Sequence, residues 1–494
     1  MQIETKVIPK KVLLAYDMST VVMATAVPIH QTLPRKDNSS NGILGRTINK
    51  SKVYPVEEST HSGIHNDEVS SVVLEESQKD LTVSKKRESL FRRHQKKAVV
   101  LITFIIATAT AFTAITMYYL SSHPPPRLIY TNMIWRHGDR APVHYFQNFT
   151  EKYMIAFPRG IGNLTKIGAE QAEYLGLLLQ RRYFHSRNIT SKQIYIRSTD
   201  VPRTIETARY VLKGMSFSDI RINTETPTNF DVAGNPFFDC PVASQFVLDQ
   251  KEEYFLRENF SDVYELMERE LNYNDQPYYL FDTLNCLKAH DLALPEWLND
   301  QELYEKLKFL SWHGVEALFG MESYNNELQR KIRGGSSLRG VVSRIACKVN
   351  YSEWKPVNFC NERFYGLSAH DMTIVALLST FSNIHSILGE VPLIGYGGNI
   401  AFEIWQIDNL YKMKVLYANQ WDENPKEITQ FAPGCGDSIN FCNVTNFIEQ
   451  SRLLFFDDVQ EECLKGAKNL PPHVLRRSTG PENTDDVVNF IEMF

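Results

Sequence analysis

The chain has 494 residues, with 53 Lys and Arg against 58 Asp and Glu, for a formal net charge of -5. That length holds one large domain or two of ordinary size, and an apolar share of 43% with 22% charged residues is ordinary globular composition. The mildly acidic balance excludes the basic footprint of a nucleic-acid partner. In chain order, residues 1–97 lack sustained periodicity and cluster Ser, Lys, Asn and Glu, which predicts a disordered tail. Residues 98–120 then run for 23 positions without a formal charge. At about 1.5 Å per residue, a helix of that length crosses a hydrocarbon core of about 30 Å. Lys85, Lys86, Arg87, Arg92, Arg93, Lys96 and Lys97 crowd its N-terminal flank, and no Lys or Arg follows it before Arg127. By the positive-inside rule this is a transmembrane signal anchor of a single-pass type II membrane protein, with a cytosolic tail and a lumenal or extracellular C-terminal part. Six glycosylation sequons lie beyond the span, at Asn148, Asn163, Asn188, Asn259, Asn350 and Asn443. A seventh, at Asn38, lies on the cytosolic side and is expected to stay unmodified.

Residues 121–126 read as a proline stalk. Leu128–Trp135 is strand-like, and Thr165–Phe184 carries apolar residues at spacings of three and four, the pattern of an amphipathic helix. A short strand at Lys192–Ile196 precedes a helical pattern from Thr204 to Leu212, and a strand at Phe364–Ser368 enters a helix at His370–Phe381. Strand, loop and helix repeated in this way predict an α/β fold with a mostly parallel central sheet flanked by helices. Ala401–Gln406 and Lys412–Ala418 flank a turn at Asp408 and Asn409 and read as a hairpin. Asp249–Met321 has helical spacing and reads as part of a smaller, mostly helical cap at about 215–335. The catalytic domain is expected over 127–465, with 466–494 as a C-terminal tail.

Three strand-to-helix junctions carry the chemistry. The first is Arg136-His137-Gly138-Asp139-Arg140-Ala141-Pro142. Ligands of open α/β sheets bind beyond the carboxyl ends of strands, and two guanidiniums there would converge on a phosphate dianion. Their charge also disfavours the imidazolium, leaving His137 neutral and nucleophilic at acidic pH. The competing reading is a basic surface turn. The second junction is Arg197-Ser198-Thr199-Asp200-Val201-Pro202-Arg203. Arg197 could add a further cation to one pocket, while Arg203 reads instead as a surface ion-pair partner. The third is Ser368-Ala369-His370-Asp371, where His370 could donate to phosphoryl oxygens and Asp371 could protonate a leaving oxygen. Turnover should then fall as pH rises through the pKa of Asp371.

These motifs resemble the histidine acid phosphatases of the lysosomal and prostatic type, within the phosphoglycerate-mutase-like histidine phosphatase superfamily, over roughly Arg127 to Leu464. The segment from Arg136 to Pro142 matches that family's RHGxRxP. Asn163-Leu164-Thr165 through Arg182-Tyr183 resembles its following helix, and Arg197 to Asp200 and His370-Asp371 match its other two site motifs. The resemblance implies hydrolysis of phosphate monoesters at acidic pH through a phosphohistidine. His137 would be the nucleophile, Asp371 the proton donor, and Arg136, Arg140, Arg197 and His370 the phosphate ligands, with no metal or organic cofactor. It also implies a small-molecule phosphomonoester substrate and, as often in this type, a homodimer. The seven cysteines contain no C-x-x-C pair. By resemblance Cys240 pairs with Cys463 and Cys435 with Cys442. The third family pair departs from pattern, because Asn399 stands where the partner of Cys286 should be; Cys347 and Cys360 then bond each other and Cys286 stays free. An N-terminal anchor is similar to a Golgi member of the family that acts on phosphoxylose. Golgi, lysosome and cell surface all remain open as compartments. A dedicated glycan, phytate-like or lipid phosphatase is the alternative enzyme, and an inactive ectodomain the alternative outside enzymes.

Overall fold

The computed structural model describes residues 70–122, 124–146, 150–185, 187–224, 230–251, 258–272, 277–354, 360–389, 393–438 and 440–465. Residues 1–69 of the expected N-terminal tail, the expected tail over 466–494, and the sequons at Asn38 and Asn148 lie outside the described residues. Helix α1 runs unbroken over Ser70–Ser122. Within it Leu81–Tyr119 is long and apolar enough to cross a membrane. Thr103, Thr108, Thr110, Thr113 and Thr116 return their hydroxyls to carbonyls three or four residues back. Their polar groups are thus satisfied inside the helix and add little cost in lipid. Residues 70–97, expected to be disordered, are helical instead. That stretch has no Gly or Pro, and extending an existing helix needs no new nucleus.

The globular part is built on one eight-stranded sheet. Strand β1 (Arg127–Arg136) leads through α2 (Thr150–Ala156) and α3 (Lys166–Leu179) to β2 (Ile194–Ser198), α4 (Pro202–Gly214) and β3 (Ile222–Asn223). Helices α5 (Pro241–Lys251), α6 (Ser261–Leu271), α7 (Pro277–Ala289), α8 (Gln301–Phe319) and α9 (Glu327–Lys348) intervene before β4 (Phe364–Ala369). Then follow α10 (Asp371–Leu378), α11 (Ile384–Leu388), β5 (Asn399–Ile407), β6 (Leu410–Ala418), β7 (Lys426–Glu427), β8 (Cys442–Asn443), α12 (Val444–Ser451) and α13 (Val459–Lys465). The order across the sheet is β3-β2-β4-β1-β5-β6-β7, with β8 also on β6. Strands β3, β2, β4 and β1 are mutually parallel, and β5 to β8 run antiparallel.

Side chains along β1 alternate between two cores. Met133 and Trp135 pack with α3 and α4, while Ile134 packs with α9, α10 and α12. Burial on both faces explains why the strand reads as an almost continuous apolar run. Asp408 and Asn409 take φ of 48° and 62°, the left-handed pair that a two-residue hairpin between β5 and β6 requires. Helices α6, α7 and α8 form their own apolar cluster, which also takes Ala141, Phe146, Tyr153 and Phe157 from the chain after β1. The structure bonds Cys240 to Cys463, Cys347 to Cys360 and Cys435 to Cys442, and leaves Cys286 buried as a free thiol.

Candidate active site

Three neighbouring parallel strands end level with one another. Arg136 on β1 sits opposite Ala369 on β4, and Ser368 on β4 opposite Ser198 on β2. One residue on, the His137 N–H donates to the Ala369 carbonyl at 3.0 Å and the Thr199 N–H to the Ser368 carbonyl at 3.1 Å. The ladder therefore continues into the loops and brings all three junctions to one edge. The His137 and His370 rings meet edge to face with centroids 5.7 Å apart.

The loop after β1 lies flush against the first turn of α3. A Cβ on Gly138 would fall 2.2 Å from the Gly168 carbonyl oxygen, and one on Gly168 would fall 2.1 Å from the Asp139 carbonyl oxygen. Two glycines let the backbones touch. Thr165 caps α3, accepting from the Gly168 N–H at 3.1 Å, and its hydroxyl donates to the Asp139 carboxylate. The other partner of that carboxylate is His290 Nε2 at 2.6 Å, from just beyond α7.

His137 Nδ1 lies 2.8 Å from the Gly138 carbonyl, which can only accept. The proton is therefore on Nδ1, and Nε2 carries the lone pair. Burial, then Arg203, Arg136 and Arg140, hold the His137 pKa well below the usual histidine range. Arg136 pairs with Asp371 at 2.9 Å and lies over the Tyr396 ring, 4.4 Å from its centroid. Arg140 is held by both carboxylate oxygens of Asp282, at 3.1 and 3.0 Å. The Asp371 carboxylate accepts from the Met372 N–H at 2.7 Å through Oδ1, and from the Tyr278 hydroxyl at 3.3 Å through Oδ2. Burial pushes its pKa up, but Arg136, Arg140 and His370 outweigh burial and hold it below the usual carboxylate value. His370 Nε2 meets Thr199 Oγ1 at 3.1 Å, and its pKa is pulled down to about 3 by burial and by Arg203.

Two assignments change. Arg197, expected in the pocket, forms an ion pair with Asp231 and shares with Tyr195 the face of β2 turned toward the larger core. Arg203, expected on the surface, enters the site instead: its guanidinium lies 3.5 Å from His370 Nδ1 and is the leading charge acting on His137. The cause is the junction itself. Strand side chains alternate between the sheet faces, whereas the first turn of α4 projects back over the strand ends. Among the described residues Arg203 has no carboxylate partner, and burial with the nearby Arg140 pulls its pKa down to about 9. The site thus holds three guanidiniums around His137 but only two carboxylates pairing them, Asp371 and Asp282.

Sequence reasoning missed the contribution of α7. Tyr278 touches Asp371, Asp282 holds Arg140, and Cys286 lies 3.3 Å from the Tyr396 hydroxyl and 3.5 Å from Arg140. Their four-residue spacing puts them on one stripe of the helix. That stripe was the available signal, but no recognised motif marks it.

The model for the histidine phosphatase superfamily (branch 2) matches residues 127–418. A protein described as putative acid phosphatase 5, from Caenorhabditis elegans, is 27% identical over 358 residues, covering 68% of this chain and 79% of that protein. Prostatic acid phosphatase of Bos taurus is 25% identical over 385 residues, covering 73% of this chain and 91% of that protein. Among solved structures, a Hafnia alvei phytase in complex with tartrate shares the fold with a TM-score of 0.51 at 14% identity, covering 68% of this chain and 98% of that chain. The matched stretch runs from β1 to β6 and contains every group that surrounds His137, so the chain belongs to branch 2 of the histidine phosphatase superfamily.

Proposed function

We propose that this acid phosphatase, a phosphoric monoester hydrolase, works through a phosphohistidine on His137 within a catalytic domain over 127–465. The carrying observation is a buried histidine whose Nδ1 lies on the Gly138 carbonyl, ringed by one more guanidinium than the carboxylates among the described residues pair. A phosphate group completes that balance. Its oxygens draw Arg136, Arg140 and Arg203 off their present contacts, and phosphoryl transfer is then driven by positioning and charge neutralisation. The Nε2 lone pair forms the N–P bond as the P–O bond to the leaving group breaks. The departing oxygen takes its proton from Asp371 and leaves as an alcohol, with Asp371 as carboxylate. Water then attacks phosphorus, gives a proton to Asp371, and the N–P bond breaks with its electron pair returning to Nε2. His370 and Thr199 wall the same edge; because Arg203 can only donate to His370 Nδ1, the ring proton is on Nε2, and that N–H turns from Thr199 Oγ1 to a phosphoryl oxygen.

The test compares His137→Ala with wild type on p-nitrophenyl phosphate at acidic pH, with labelled substrate and an alkaline quench to trap the phosphoenzyme. Turnover and trapped label should vanish together. Label retained on the variant would move the nucleophile elsewhere.

The orientation across the membrane is part of the proposal, with α1 as a type II signal anchor and the globular part lumenal or extracellular. The basic flank of the span supports it, as do three disulfides and the exposure of Asn188, Asn259, Asn350 and Asn443. Asn163 is a poorer acceptor, since its amide donates to the Arg159 carbonyl at 2.7 Å. Endoglycosidase-sensitive mass that disappears on Asn-to-Gln substitution at the exposed sites, with an N-terminal tag open to protease on intact vesicles, is the expected outcome.

A further inference from the structure

The general acid of this reaction has a neighbour that the chemistry above does not use. Asp371 Oδ1 is fixed by the Met372 N–H at 2.7 Å, while Oδ2 is shared between Arg136 at 2.9 Å and the Tyr278 hydroxyl at 3.3 Å. The phenol contact is long for a hydroxyl on a carboxylate, and the guanidinium lies closer to the same oxygen. When phosphate recruits Arg136, that oxygen loses its nearer partner. A carboxyl group pinned through Oδ1 alone can turn about its terminal torsion, which has no sharp minimum.

We propose that Tyr278 is the positioning residue for proton transfer: its hydroxyl holds Asp371 Oδ2 toward the leaving oxygen once Arg136 has turned to the phosphate, and bonds that oxygen more strongly as it gives up its proton. This inference rests on Asp371 being the proton donor. A hydrogen bond to a carboxylate is about twice as strong as one to a neutral acceptor. The contact therefore strengthens from ground state to transition state, the condition under which an interaction raises kcat. Tyr278 is itself a poor acid. Burial and the adjacent Asp371 hold its pKa well above the usual tyrosine value, so the proton stays on the phenol and Tyr278 acts only as a donor. Its place is fixed from the cap, because α7 also carries Asp282, four residues on, whose carboxylate clamps Arg140. One face of one helix thus orients both the acid and a phosphate ligand.

The test is Tyr278→Phe, which keeps the ring and removes only the hydroxyl, with a melting curve as the control for folding. Steady-state kinetics are compared on glycerol 2-phosphate, whose alkoxide needs a proton to leave, and on p-nitrophenyl phosphate, whose leaving group needs it far less. Loss of one charge-assisted hydrogen bond predicts a fall in kcat of about tenfold on the alkyl ester, a smaller fall on the aryl ester, and little change in KM. Because the phenol favours the carboxylate form of Asp371, its removal should also move the alkaline limb of the kcat profile to higher pH. In an Asp371→Asn background the same change should have no further effect, since Tyr278 acts through the carboxyl group. Equal falls on both esters, no fall on either, or a full additional loss in the Asp371→Asn background would each overturn the inference. Asp371→Asn alone separates the two levels. If it shows no preference between the esters, Asp371 is not the acid and both claims fail. If it penalises the alkyl ester and Tyr278→Phe does not, only the role of Tyr278 is lost.

Discussion

Arg203→Met is the most informative single change, because it should stabilise the protein while disabling it. Arg203 has no carboxylate partner among the described residues, and its pKa is drawn down from the ordinary arginine value to about 9. For a base with a depressed folded pKa, the penalty for carrying the charge is fully present below the folded value and fades as pH rises from there to the unfolded value. At 1.36 kcal/mol per pH unit, the drop from the ordinary arginine value sets an upper bound of about 5 kcal/mol. The side chain is partly exposed, so solvent screening cuts this to about 1–2 kcal/mol. Methionine keeps the stem and removes the charge. At pH 5.5 and low salt the variant should therefore melt higher than wild type, by a few degrees. Inorganic phosphate should raise the wild-type midpoint and leave that of the variant nearly unmoved. Removing one cation from a transferring phosphoryl group should lower kcat/KM by about 100- to 1,000-fold. Arg197→Met is the control with the opposite sign. It strands Asp231, which is 2% exposed, and should cost about 3–5 kcal/mol while leaving KM near normal in the surviving protein. A destabilised Arg203→Met that still shifts with phosphate would refute the assignment of this arginine to the site.

Further outcomes follow from the packing and the buried rings. Gly168→Ala places a Cβ 2.1 Å from a backbone oxygen that cannot rotate away, so α3 and the loop after β1 must separate. The expected cost is about 2 kcal/mol or more in denaturant titrations, with kcat down more than about tenfold, because displacing the nucleophile by an ångström is that damaging. His370 stays neutral in the fold down to about pH 3, while in the unfolded chain it takes a proton near the usual 6.5. The unfolded state therefore binds more protons between those values, and stability falls as pH drops through that window. His370→Asn should lose about 2 kcal/mol less than wild type between pH 7 and pH 4.5, read from urea midpoints in the absence of phosphate; equal losses would mean that the ring is already protonated in the fold.

Much of this was legible because local and global signals agree. The strand at β1, the hairpin at Asp408 and Asn409 and the Thr165 cap each carry their own chemistry in the chain. The cluster of His137, Arg136 and Arg140 was legible because the three come from one loop. The exchange of Arg197 for Arg203 was not. Both are arginines of one junction, and only the point where β2 gives way to α4 decides which turns over the strand ends. Tyr278 and Asp282 were invisible for a different reason. They reach the site through tertiary packing of α7, from more than a hundred residues away in sequence, so no local pattern ties them to His137.

A general acid must carry a proton, yet Arg136, Arg140 and His370 hold the Asp371 carboxyl below its usual value, so without substrate it is a carboxylate in mild acid. A break in rate fixed by the pKa of free Asp371, as the motif alone suggests, would silence the enzyme throughout mild acid. On the proposed role of Asp371, the missing proton arrives with the substrate. Phosphate monoesters have a second pKa of about 6, so below it they bind as monoanions. A monoanion beside a carboxylate has the same proton count as a dianion beside a carboxylic acid. Once the guanidiniums embrace the phosphate, they favour the dianion and give up Asp371, and the proton moves to the carboxyl. Acidic turnover then reflects the ionisation of the substrate more than that of the free enzyme. The alkaline break in kcat/KM should therefore follow the second pKa of the ester across a series of alkyl phosphates bearing electron-withdrawing groups. A break that stayed at one pH for every ester would assign it to the protein, and the proton would have to reach Asp371 from solvent.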